Sequence, residues 1–286
     1  MSGGEPSSIK RKSQNSVDKV AAMKRTYQKL GLDCLVILGG NGTHKTANLL
    51  SGEGLHIVTL PKTIDNDIYG TDRTFGFYSA VDIATHVIEC IHTTAFSHSR
   101  VFIVELMGHK AGWLTLYAGI GGGADVILLP EIPYDIDKVA EAITRRNNNR
   151  GKFAILAVAE GAMSVEESKM RKKEFKAARA AMAYPSVSYR LAAELEEKTG
   201  KEIRVTVPGH FQRGGSPNAS DRIFCSLLGA AAAELIAKEQ YGYMVGYVDN
   251  KFVPVPLSEV AGKLKLVPPD CQYVTEARRL GISFGD

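Results

Sequence analysis

The chain has 286 residues, 44% of them hydrophobic and 23% charged, with a formal net charge of +4, which is enough for one large domain or two modest ones. Both signs of charge are interspersed and no Lys/Arg stripe carries interleaved aromatics, which argues against nucleic acid. No apolar run approaches the ~20 residues of a membrane helix, and the opening residues lack the apolar core of a signal peptide. Cys34, Cys90, Cys225 and Cys271 are scattered without metal-ligand spacing, so they read as reduced thiols of a cytoplasmic protein.

Residues 1–16 are Ser/Gly/Lys-rich and read as a disordered lead-in. A helical pattern begins at Val17 and runs to Leu30. The continuous apolar run 34–38, closed by Gly39-Gly40, reads as a buried parallel strand. A helix follows from Thr43 or His44 to Leu50, then a strand over 55–60 and a helix over 77–92. The alternation continues with strands over 101–106, 126–129, 153–159 and 203–207. Helices are expected over 112–119, 136–146, 189–199 and 230–238, and a charged, solvent-facing helical stretch over 165–182. Alternating strands and helices predict an α/β fold with mainly parallel sheets, whose ligands sit at the carboxyl ends of the strands.

The unusual residues fall at those ends. Gly39-Gly40-Asn41-Gly42-Thr43 closes a strand and opens a helix, a place where backbone N–H groups can meet a phosphate; it also reads as a plain tight turn. Lys62-Thr63-Ile64-Asp65-Asn66-Asp67 sets two carboxylates around an amide. One could take a proton and the other hold a divalent cation, though Asx-rich turns look the same. Gly209-His210-Phe211-Gln212-Arg213-Gly214-Gly215 offers basic donors suited to a phosphate monoester. Arg100, Met107-Gly108-His109-Lys110 and Glu160 flank two further strands. Phosphate donors, acids and glycine turns at successive strand ends match phosphoryl transfer, which relies on positioning and charge neutralisation.

In this order and wording, the motifs Gly-Gly-Asn-Gly-Thr, Pro-Lys-Thr-Ile-Asp-Asn-Asp, Met-Gly-His-Lys-Ala-Gly, Ala-Glu-Gly-Ala and Gly-His-Phe-Gln-Arg-Gly-Gly-Ser-Pro resemble those of bacterial-type 6-phosphofructokinases. The resemblance implies two Rossmann-like three-layer domains. Residues 17–76 with 212–286 would bind the phosphoryl donor, and residues 77–211 the sugar phosphate. It implies transfer from ATP, with Mg²⁺, to the 1-hydroxyl of fructose 6-phosphate. Asp65 resembles the base, with Thr63 and Asp67 beside it. Gly39, Gly40, Asn41, Gly42, Thr43 and Lys62 would face the donor, with Asn41 and Asp67 near the metal. Arg100, Met107, Gly108, His109, Glu160, Arg204, His210 and Arg213 would bind the sugar phosphate. In the family, Arg100 and Arg204 would reach a neighbouring subunit's site, implying a homo-oligomer with shared active sites.

The sequence also departs from the family pattern. The family's initial strand and Gly-Gly-Asp-x-x-Gly-x-Asn turn have no counterpart, so the expectation is a chain truncated at its amino end, weakly active and prone to aggregate. A non-catalytic sugar-phosphate-binding subunit is the alternative that this raises. Asn41 stands where an Asp is usual, and His109 where an Arg is common. Gly42 leaves room for ATP, whereas Lys62 suits pyrophosphate users. A lipid or dinucleotide kinase, which shares only the glycine turn, is disfavoured by the Gly209–Gly215 segment.

Overall fold

The structure, a computed structural model, describes residues 18–149 and 153–286; the expected lead-in lies outside them. In chain order the elements are α1 (Lys19–Lys29), β1 (Leu35–Gly39), α2 (Asn41–Gly52), β2 (Ile57–Pro61), α3 (Phe77–His98), β3 (Val101–Leu106), α4 (Trp113–Gly121), β4 (Val126–Leu128), α5 (Ile136–Asn149) and β5 (Ala154–Ala159). There follow α6 (Val165–Ser168), α7 (Lys172–Ala180), α8 (Val187–Thr199), β6 (Ile203–Thr206), a 3₁₀ helix (Gly209–Arg213), α9 (Ala219–Ala237), β7 (Tyr243–Val248), β8 (Lys251–Pro256), α10 (Leu257–Val260) and α11 (Gln272–Arg279).

Two compact units result. Of the described residues, one comprises those up to Tyr78 with Pro217–Lys265, the other those of Ser79–Ser216 with Leu266–Asp286. The first contains a sheet of order β1-β2-β7-β8, the second a sheet of order β4-β5-β3-β6. Every strand pair is parallel except the hairpin β7–β8. That hairpin was not anticipated, because Pro254 and Pro256 interrupt the second run and Pro is disfavoured inside a sheet. β8 lies at the sheet edge, where a missing N–H is tolerated.

In the first unit, alternate residues of β2 serve opposite faces. Ile57 joins Ala47 and Leu50 of α2, Met244, and Leu257 and Val260 of α10. Val58 and Leu60 join Phe224 and Leu228 of α9. The expectation of a fully buried β1 is not met. Among the described residues it pairs only with β2, and Leu38 keeps 54% of its surface exposed, with Val36 also open to solvent.

In the second unit β3 and β5 are buried at every position, as central strands covered on both faces require. Val101, Ile103, Val126 and Leu128 pack with Val139 and Ile143 of α5 and Leu191 and Leu195 of α8. On the other face Gly119 of α4 sits hard against Ile127. Glu105 is buried within β3 because its carboxylate accepts from Ser186 Oγ at 2.5 Å and Ser188 N–H at 3.2 Å, at the amino end of α8.

Residues 266–286 lie with this second unit rather than with the first, as the sequence had suggested. Ser283 bridges to Val126 beside β4, Phe284 is fully buried, and Val267 N–H donates to Glu131 at 2.9 Å. The missed α11 belongs to this tail.

The stretch 165–182 is also not one solvent-facing helix. It breaks between α6 and α7, and Ser164 with Glu167 forms a reciprocal cap at the first of them. Glu167 keeps only 6% of its side-chain surface exposed. It accepts from Arg179 Nε and from both terminal nitrogens of Arg190, each at 2.8 Å, and from Ser164 N–H at 3.0 Å. Burial opposes its charge, but Arg190, the Ser164 N–H and Arg179 outweigh it and hold the carboxyl at about 2.

A depressed folded-state value means that this stabilisation is complete above the ~4.3 of an unfolded Glu and is lost as pH falls towards 2. Glu167→Gln should therefore lower the stability of this unit by about 2–3 kcal/mol at neutral pH. This is less than a fully buried pair would give, because both arginines retain contact with water. Thermal unfolding of the two proteins should converge as pH falls from 4 towards 2.

Candidate active site

In the first unit the β1–β2 ladder aligns Gly39 with Pro61, and Lys62 N–H donates to the Gly39 carbonyl at 3.0 Å. The glycine turn and the acidic loop therefore leave adjacent strand ends together. At Gly39 any Cβ would run into the Thr43 side chain. Gly40 caps α2 without a side-chain bond, and the helix starts at Asn41, earlier than the expected Thr43 or His44. Asn41, Gly42 and Thr43 thus form its first turn, whose N–H groups lack intrahelical acceptors and carry the positive end of the helix dipole.

The loop after β2 is closed on itself. Thr63 Oγ1 accepts Asp65 N–H at 3.1 Å and lies 3.3 Å from Asp65 Oδ2. Asn66 adopts a left-handed conformation, φ 51°, and its Oδ1 accepts Thr74 N–H at 3.0 Å. Thr74 Oγ1 donates to the Thr63 carbonyl at 2.8 Å, and Phe75 N–H to that of Pro61 at 3.1 Å. Arg73, between the rings of Tyr78 and Phe224, reaches Asp221 at 3.2 Å and ties the loop to α9.

A segment that sequence reasoning missed, residues 263–265, touches both turns. Asn41 Nδ2 donates to the Lys263 carbonyl at 2.6 Å, and Lys265 N–H to the Asp67 carbonyl at 2.9 Å. Lys265 is half-buried, and its Nζ donates to the Thr71 and Asp72 carbonyls at 2.9 and 2.7 Å. Burial lowers its pKa to about 8 against the opposing pull of Asp72 and Asp67. The only sequence signal was two lysines spaced two apart after an apolar stretch.

Asn41 and Asp67 thus stand at the two ends of one short segment. No cluster of three His, Cys, Asp or Glu able to hold a metal occurs among the described residues. An amide oxygen and a single carboxylate suit a hard cation that arrives with phosphate oxygens and water rather than one held in a protein cage.

In the second unit the structure brings together Met107, Gly108, His109, Glu160, His210 and Arg213. Met107 N–H donates to the buried Gln212 Oε1 at 3.1 Å, and Gln212 Nε2 to the Gly209 carbonyl at 3.0 Å, fastening the 3₁₀ helix to the end of β3. Glu160 N–H donates to the Leu106 carbonyl at 2.9 Å. Any Cβ at Gly161 would overlap the His109 carbonyl, so the ends of β3 and β5 touch through backbone. His210 and Arg213 are exposed. Gln212, which in the sequence stands out only as part of the Gly209–Gly215 motif, is the fastening residue.

Arg100 and Arg204 are not in this cluster. Arg100 precedes β3, Met107 follows it, and six strand residues separate them by roughly 20 Å. Arg204 pairs with Phe102 near the same amino end. Both arginines bind one carboxylate, Glu202: Arg100 Nε lies 2.7 Å from it, and Arg204 contacts its other oxygen.

The family profile described as Phosphofructokinase matches residues 2–236. The chain belongs to the phosphofructokinase family. Curated phosphofructokinases similar to it include an "ATP-dependent 6-phosphofructokinase" of Spirochaeta thermophila, 53% identical over 94% of this chain and 73% of its own length. One of the same description from Propionibacterium freudenreichii is 45% identical over 93% of this chain and 76% of its own length. Among solved structures, a phosphofructokinase chain from Saccharomyces cerevisiae is 30% identical with a TM-score of 0.73; the alignment covers 88% of this chain and 35% of the yeast chain. No helix among the described residues is long and apolar enough to cross a membrane.

Asn66→Ala tests how the phosphofructokinase acidic loop is held. It leaves the buried Thr74 N–H without its acceptor, at a cost of about 1–3 kcal/mol. Amide hydrogen exchange at Thr74 should accelerate roughly 10- to 100-fold, while exchange in the β3–β5 ladder stays unchanged.

Proposed function

We propose that this chain transfers the terminal phosphoryl group of ATP to the 1-hydroxyl of fructose 6-phosphate, giving fructose 1,6-bisphosphate and ADP in the cytoplasm. The observation that carries the reading is the pairing of the glycine turn with the acidic loop through the Lys62–Gly39 hydrogen bond. It puts phosphate donors next to a candidate base.

Asp65 accepts the proton of the sugar hydroxyl as its oxygen bonds to phosphorus and the bond to ADP breaks. Thr63 orients Asp65 through the paired contacts described above. The N–H groups of the first turn of α2 and the Lys62 ammonium take up phosphate charge. Asp67 and the Asn41 amide oxygen would hold Mg²⁺, which supplies charge neutralisation on the donor phosphates.

In the second unit His210 and Arg213 receive the 6-phosphate, and Glu160 accepts sugar hydroxyls beside Met107, Gly108 and His109. Arg100 and Arg204, at the far end of β3, serve the site of a second copy; that distance is what favours a homo-oligomer with shared sites. Gly42 favours ATP because it adds no side chain at the helix start. Lys62 is the one residue that favours pyrophosphate instead.

Purified protein assayed with Mg²⁺, fructose 6-phosphate and either donor tests the whole reading; turnover with pyrophosphate alone would defeat the choice of ATP. Asp65→Ser should lower kcat by about 10²–10⁴-fold with fructose 6-phosphate binding retained, and a variant keeping most of its turnover removes Asp65 from the role. Arg213→Ala should raise KM for fructose 6-phosphate by roughly 10- to 100-fold, the loss of one charge-assisted contact, with the ATP value little changed. Equal weakening of both substrates would count against the assignment. Gly42→Asp should exclude ATP by bulk and by carboxylate–phosphate repulsion while sparing pyrophosphate.

A further inference from the structure

We propose that His44 is a positioning residue of the donor turn: its buried imidazole grips the Gly40 carbonyl and thereby sets the direction of the Asn41 N–H. The proposal rests on the reading of that turn as the donor site. His44 lies on the inward face of α2 with Ala47 and Leu50 and has no exposed surface. Its Nδ1 lies 2.9 Å from the Gly40 carbonyl oxygen, which also accepts the His44 main-chain N–H at 3.1 Å.

A carbonyl oxygen can only accept, so Nδ1 carries the hydrogen. Burial lowers the ring's pKa and so favours the neutral form; the bond to the Gly40 carbonyl selects the Nδ1–H tautomer. Two donors converging on one oxygen fix the plane of the Gly40–Asn41 peptide. Because that peptide is planar and trans, the Asn41 N–H points opposite to the held carbonyl, out of the amino end of α2. Gly40 has no side chain to cap the helix; the Asn41 side chain ties the turn to Lys263, and the imidazole is the side chain that holds the Gly40 carbonyl itself.

Packing does not account for a histidine here. Its Nε2 is buried without a partner, and a buried acceptor without a donor is destabilising. A phenylalanine would fill a similar space with no such cost. What the imidazole adds is the Nδ1–H bond to Gly40.

The test separates the donor from the bulk. His44→Phe keeps the volume and removes the donor. His44→Asn removes volume but keeps an N–H at the δ position. His44→Phe should raise KM for ATP roughly three- to tenfold, the worth of one hydrogen bond. KM for fructose 6-phosphate and kcat at saturating ATP should stay within about twofold of the parent. His44→Asn should return KM for ATP to near the parent value even where its melting temperature is lower.

If His44→Phe behaves as the parent, or if His44→Asn is the more impaired in KM for ATP, the positioning role is overturned. An equal rise in both Michaelis constants overturns it as well. Gly42→Asp, run alongside, distinguishes the two levels of the argument. If it excludes ATP while His44→Phe is silent, only the role of His44 fails; if both are silent, the donor-turn reading fails and the proposal with it. An independent check needs no variant. Nitrogen-15 spectra of the unsubstituted protein should show the Nδ1–H tautomer for His44 at neutral pH, and an Nε2–H tautomer would rule the proposal out.

Discussion

The last rung of the β1–β2 ladder, Lys62 N–H to the Gly39 carbonyl, is the contact on which the first unit's chemistry depends. Parallel strands end on the same side of a sheet, so the turns that leave them are neighbours by construction. This rung extends the register one residue past β2 and fixes which parts of the two turns face each other. Gly39 permits the close return of Thr43, Pro61 contributes no N–H to compete for the same carbonyl, and α2 begins directly beyond. A shift of one residue would place Lys62 where Pro61 now pairs and turn the alternating faces of β2 inside out, setting Ile57 against α9 and Val58 against α2.

The second unit solves a different problem with the same means. Its site elements come from three parallel strands, and each is tied to a neighbour through backbone or the buried Gln212 side chain rather than through the exposed groups that would meet a substrate. Gln212, buried, bonds to both Met107 and Gly209, and Glu160 N–H continues the ladder to Leu106. His210 and Arg213 are thereby held at their main chains while their side chains stay in solvent. The arginines at the other end of β3 follow another logic: a single carboxylate, Glu202, keeps two like charges close together.

Much of this was legible in the sequence. The apolar stretch 153–159 and the stretch 101–106, apolar but for Glu105, marked the central strands, and glycines beside acids and bases marked the loops that carry the chemistry. Three kinds of feature were not legible. The β7–β8 hairpin was masked by its prolines. The burial of Glu167 and Glu105 could not be read locally, because their partners, Arg179, Arg190, Ser186 and Ser188, lie 12 to 83 residues away along the chain. The part played by residues 263–265 came from long-range bonds to backbone carbonyls, which carry no signature in the local sequence. β1 shows the reverse error: its apolar composition predicts burial, yet its place at the sheet edge leaves alternate side chains in water.

The route of the tail bears on how the molecule can be made. The second unit is interrupted by Pro217–Lys265 and completed only by Leu266–Asp286. Ser283 bridges to Val126 at the edge beside β4, Phe284 next to it is fully buried, and both leave the ribosome long after β4. During synthesis β4 waits with one side open while β7 and β8 are added to the first unit. Until residues 266–286 are made β4 keeps an unsealed edge, and such an edge is a site at which nascent chains can pair with one another.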